Sequence, residues 1–197
     1  MKKRKKSAIK ISFFGFFMLL SLLVTHSYLS FAAIAAASLH ELSHLAVARL
    51  LGTRLSSMKL GIFGASLSMD AHTTSYKREI LIALAGPAAN LISAAIIICL
   101  ASAPSVFAQM LLSASIFLGL LNLLPISDFD GGRILFCFIA VHGSLNLANV
   151  ILKITSFVFL FSLWVLSVYL ILRLGASLSL FVFSASVFCK TFIKEKT

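Results

Sequence analysis

The stretch SLHELSHLAVARLLG, residues 38 to 52, holds two histidines and a carboxylate inside an otherwise apolar run. His40 and His44 are four residues apart, so on a helix both imidazoles leave one face and can reach a single metal ion. Glu41, beside the first of them, is close enough to touch a water on that ion. Zinc suits such a set. It lowers the pKa of a bound water towards ~7, and the glutamate, as general base, takes the proton while the oxygen attacks a carbonyl, then hands it to the leaving amine.

Burial makes this expensive. Ionisable groups inside a membrane span cost roughly 2.5–3.5 kcal/mol each on insertion scales, so a cluster this dense needs a compensating partner. A metal in a water-filled cavity is one such partner. Hydrogen bonding of the histidines to neighbouring helices is the plainer alternative.

Two histidines leave a catalytic zinc one protein ligand short, because such sites usually combine three ligands with a water. The chain has six acidic residues: Glu41, Asp70, Glu79, Asp128, Asp130 and Glu195. Asp128 and Asp130 lie in LLPISDFDGGR, residues 123 to 133, where Pro125 and the glycine pair break a helix, and either aspartate could supply the third ligand. Gly131 and Gly132, which let the backbone fold close, favour Asp130.

The elements that must position these residues are apolar. Of 197 residues 60% are hydrophobic and 12% charged, with a mean hydropathy of +1.05, which excludes an ordinary soluble domain. Segments near 9–29, 31–51, 79–102, 105–126, 150–172 and 174–190 approach the length a spanning helix needs. They predict an all-α polytopic membrane protein with about six transmembrane helices. The glycines and short alternation of SMKLGIFGASLSM, residues 57 to 69, add a small β-hairpin in the loop after helix two. No repeat or long polar stretch divides the chain, so residues 1–197 are expected to form a single membrane-embedded domain with its core motifs within 31–133. A cleaved leader is disfavoured, since the first apolar stretch is long and leads straight into the second.

The net charge of +11 does not signal nucleic acid. Lys2, Lys3, Arg4, Lys5, Lys6 and Lys10 precede the first span, Arg49, Arg54, Lys59, Lys77 and Arg78 surround the loop after the second, and Arg133, Lys153, Lys190, Lys194 and Lys196 follow later even-numbered spans. Six spans with both termini in the cytoplasm put all of these on the cytoplasmic side, contacting lipid headgroups, and leave only Arg173 near an outer turn. Cys99, Cys137 and Cys189 have unrelated spacings and are expected as small core residues.

HELSH, AGPAANL (residues 85 to 91) and NLLPISDFDGG (residues 122 to 132) together resemble the three signatures of the site-2 proteases, zinc intramembrane proteases. The likeness is nearest to the branch containing stage IV sporulation protein FB, which has six spans. It covers the second to fourth spans and the loop that follows. The resemblance implies one Zn2+ per chain, with Asp130 as third ligand beside His40 and His44, because Asp130 occupies the aspartate place of the N-x-x-P-x-x-x-x-D-G pattern that Asn122 opens. Asp128 then becomes a loop residue near the site. Asn122 is expected in the active site, donating to an oxyanion or holding extended substrate. For Asn90, packing and function weigh equally.

Ser43 stands where many members carry glycine, and Leu123 where some carry proline. The sporulation branch typically adds a CBS domain and other members a PDZ domain; neither is expected here. His26, His72 and His142 read as solvated or interfacial. The implied partners are the bilayer, membrane-associated protein substrates and regulatory membrane proteins, with the oligomeric state left open. The rival class is a divalent-metal transporter that uses the same His and Asp residues as a transit site.

Overall fold

The computed structural model of the chain describes residues 9–11, 27–53, 55–61, 64–69, 75–100, 104–175 and 178–192. Residues 12–26, which hold most of the first apolar segment and His26, lie outside that description, as does His72. Ile9–Ile11 form a short strand, β1, where the sequence predicts the start of a helix. Helix α1 spans Tyr28–Leu50 and starts where Ser27 accepts a hydrogen bond from the Leu29 amide, satisfying one of the orphan donors of the first turn. Two residues past its end lies Gly52, whose φ of +65° suits a residue without Cβ, and the Thr53 hydroxyl donates to the Ala48 carbonyl at 2.7 Å.

Strands β2 (Leu55–Gly61) and β3 (Gly64–Met69) follow and pair antiparallel, with Leu60 opposite Ala65 and Gly61 opposite Gly64. β1 joins parallel to β2, giving the sheet order β1-β2-β3. Then come α2 (Tyr76–Leu100), α3 (Val106–Asn122), α4 (Asp130–His142), α5 (Leu145–Leu174) and α6 (Ser179–Phe192). Of the six expected spans, α1, α2 and α5 are long and apolar enough to cross a membrane, whereas α3 and α6 are shorter apolar helices of 17 and 14 residues. Helix α4 stands where the sequence predicts an irregular connection. Its start at Asp130 places a carboxylate in the first turn, where the helix dipole favours it.

Large apolar side chains such as Leu42, Ile98, Phe117 and Leu172 face outward, while His40, His44, Asn90, Ser115, Ser156 and Ser184 are buried. So many exposed large apolar side chains, with several polar ones buried, fit a lipid solvent. Cys137 is buried as expected, but Cys99 and Cys189 are exposed on this apolar surface and are not core residues.

The chain divides into two compact units, Met1–Leu121 and Asn122–Thr197. In the first, α1 packs on α2 through small residues. Ala32, Ala36, His40, His44 and Ala48 are buried at four-residue steps along α1, and Ile82, Gly86, Asn90 and Ala94 repeat that step on α2. Such ridges let two backbones approach closely, which is how helices associate where lipid removes the hydrophobic drive. In the second unit α5 packs against both α4 and α6 around Ile126, Phe129, Cys137, Ala148, Leu160 and Val187.

Candidate metal centre

In the first unit His40 and His44 meet edge to face, with ring centroids 4.7 Å apart at 85°, and each is only 4% exposed. Each ring is held from α2 by its Nδ1. His44 Nδ1 lies 2.6 Å from the Ile82 carbonyl oxygen, and since a carbonyl can only accept, that nitrogen carries the proton and Nε2 keeps its lone pair. His40 Nδ1 lies 3.2 Å from the side-chain amide of Asn90, which is fully buried. Ile82 contacts the later histidine and Asn90 the earlier one, so the two helices run antiparallel across the site. Gly86 falls between them. A Cβ at Gly86 would collide with His44 Nε2 and would come within 2.6 Å of His44 Cε1 and 2.7 Å of His40 Cε1.

Glu41 is half-buried on α1 beside His40. Ser43 sends its hydroxyl back to the His40 carbonyl at 2.6 Å, a contact that keeps the added hydroxyl within its own helix turn. The helix therefore accommodates the departure from glycine at this position.

In the second unit, the loop from Leu123 to Phe129 folds over the first turn of α4. Ile126 donates to the Leu124 carbonyl at 2.8 Å, and Phe129 to the Ile126 carbonyl at 2.9 Å. The chain is so tight here that a Cβ on Gly131 would strike the Leu123 carbonyl, and one on Gly132 the Ile126 carbonyl. The two glycines are required by this packing. Four further contacts fasten the loop to the later helices: Ser127 N donates to the buried Ser156 hydroxyl at 2.9 Å, Phe129 stacks on Phe183, and Asp128 meets Lys190 at 2.6 Å and Thr191 at 3.1 Å. Asp128 is thus engaged with α6. Asp130 is half-buried at the first position of α4, and Asn122 is half-buried at the last position of α3.

The first unit thus offers two buried imidazoles on one helix face, and the second offers the half-buried carboxylate of Asp130. Two imidazole nitrogens and a carboxylate oxygen are a donor set zinc accepts, and the proton on His44 Nδ1 leaves its other nitrogen available. By donor chemistry these residues fit zinc. His142 is exposed at the end of α4, its Nδ1 on the Phe138 carbonyl at 2.9 Å, away from any such group. Sequence reasoning missed Ile82, because a backbone carbonyl leaves no mark in side-chain types. It assigned Gly86 no role beyond its place in the AGPAANL motif.

The profile of the family described as Peptidase family M50 matches residues 28–106 and 100–166. A Mycobacterium tuberculosis protein named as a zinc metalloprotease, Rip3, is 37% identical over 109 residues, covering 51% of this chain and 28% of that protein; it is matched equally in two strains. The chain thus spans little more than a quarter of the length of these curated relatives. Among solved structures, the site-2 protease from Methanocaldococcus jannaschii shares the fold with a TM-score of 0.63 at 21% identity, over 95% of this chain and 90% of that one.

Proposed function

The chain belongs to peptidase family M50, and from that membership we propose that it is a zinc-dependent intramembrane endopeptidase, one membrane-embedded domain that cuts membrane-tethered or membrane-associated proteins near the cytoplasmic face. In this reading His40, His44 and Asp130 hold the zinc, Glu41 is the general base and Asn122 the oxyanion donor. The observation that carries it is the pair of buried histidines, both held through Nδ1 against a glycine on the facing helix. Histidines that merely packed would need neither the glycine nor a shared orientation.

A zinc ion bound there supplies a Lewis acid that activates water and polarises a carbonyl. Glu41 accepts the proton of the attacking water and returns it to the leaving amine. Asn122 donates an amide hydrogen where negative charge develops on the carbonyl oxygen. The substrate segment must be locally unwound, since a helix hides its carbonyls. Strand β3, at the edge of the sheet, offers such a segment a backbone to pair with. Release of a membrane-bound transcription factor is the outcome this chemistry serves, with both termini of the protease in the cytoplasm. Likeness to the sporulation branch rests on the motifs quoted above.

The test is Glu41→Gln in the full chain, co-reconstituted with a membrane-tethered reporter substrate. Zinc should be retained while cleavage falls by at least about 10²-fold, the usual scale of a lost general base. Metal flux in vesicles with no Glu41-dependent cleavage would replace this reading with the transporter.

A further inference from the structure

We propose that Asn90 is a positioning residue for His40, accepting the His40 Nδ1 proton on its side-chain oxygen and so holding Nε2 bare; the inference rests on the reading of His40 as a ligand. The contact runs between two nitrogens, Asn90 Nδ2 and His40 Nδ1, 3.2 Å apart. A proton from Nδ2 onto a bare Nδ1 would place the imidazole's own proton on Nε2, where a metal ligand needs a lone pair. It would also leave Asn90 Oδ1 buried with no hydrogen-bond partner among the described residues. An orphaned buried acceptor costs about 1–3 kcal/mol.

Turning the amide over removes the tautomer conflict and gives Oδ1 a donor, with Nδ2 taking the position that Oδ1 held. The two ends of an asparagine amide have nearly the same shape, and which is oxygen is assigned from the surrounding hydrogen bonds. Turned, Oδ1 faces Nδ1–H, and His40 takes the tautomer that His44 is forced into by the Ile82 carbonyl. The same result is reached by two devices on one helix, a backbone carbonyl at Ile82 and a side chain at Asn90. Asn90 sits on the buried four-residue ridge of α2, fully excluded from solvent, so water cannot substitute for it.

The experiment uses the detergent-solubilised full chain as wild type, Asn90→Leu and Asn90→Asp. Leucine keeps the approximate size and removes the acceptor; aspartate presents only acceptor oxygens. Titration with a zinc chelator should show Asn90→Leu weakened by about 10–100-fold, the usual effect of losing a ligand's outer hydrogen bond, and Asn90→Asp retaining its zinc. In the metal-free proteins, nitrogen-15 spectra should place the His40 proton on Nδ1 in wild type and Asn90→Asp, and move it towards Nε2 in Asn90→Leu. Unchanged zinc affinity and an unchanged His40 tautomer in Asn90→Leu would overturn the proposal, as would an Asn90→Asp protein as weak as Asn90→Leu. If wild type bound no zinc yet the tautomer shift occurred, the proposed function would fail and the Asn90 contact would stand.

Discussion

Gly86 is the most demanding residue of the first unit, although it carries no chemistry. On an open helix face, glycine to alanine gains about 1 kcal/mol of helix propensity. Here the new methyl would meet ring atoms of both histidines, and overpacking of that kind costs roughly 1–3 kcal/mol. The rings are the parts able to give, so Gly86→Ala should leave the helix content unchanged and lower zinc affinity by about tenfold or more. Circular dichroism and chelator competition would check the two halves of that statement. His40, Glu41 and His44 were legible in the sequence because a four-residue spacing fixes a shared helix face. Asn90 was only half legible, since asparagine within a span packs as often as it functions. Its contact with His40 is what the proposed positioning role rests on.

At the scale of elements, the loop before α4 is set by backbone contacts more than by its ion pair. Lys190 and Asp128 are both partly exposed, and such a pair contributes about 0–1 kcal/mol. The Gly131 position faces carbonyl groups of the same loop, which cannot move aside without unseating the first turn of α4. Gly131→Ala should therefore destabilise the protein by at least about 1–3 kcal/mol and reduce its zinc content, whereas Asp128→Asn should change stability by less than about 1 kcal/mol. Denaturation midpoints of the two variants in detergent would rank them. The sequence showed the breakers in this loop but not the helix they precede, because an Asp-Gly-Gly start reads as a turn when taken residue by residue. Only the packing of Gly131 and Gly132 against the doubled-back loop makes them the first turn of α4. Asp128 and Asp130 were separated by the glycines that follow Asp130 and by the family pattern; in the fold Asp128 is held by α6.

For the whole molecule, the membrane reading follows from composition and is matched by the many large apolar side chains exposed among the described residues. The number of spans was less legible: among the described residues α1, α2 and α5 reach span length, α3 and α6 are shorter apolar helices, and most of the first apolar segment lies outside the description. The clustering of lysine and arginine orients the chain in the proposed function with both termini in the cytoplasm. Reporter domains active only in the cytoplasm, fused to either end, should both be active; a terminus found on the opposite side would remove that orientation. The central claim is that one zinc ion is shared by two histidines and an aspartate of this chain. Its most direct measurement is the zinc content of the purified full-length protein and of two variants. The account expects one zinc per chain in wild type and in Glu41→Gln, and loss of the metal in Asp130→Ala. Metal-free wild type, or Asp130→Ala with undiminished zinc, would contradict it.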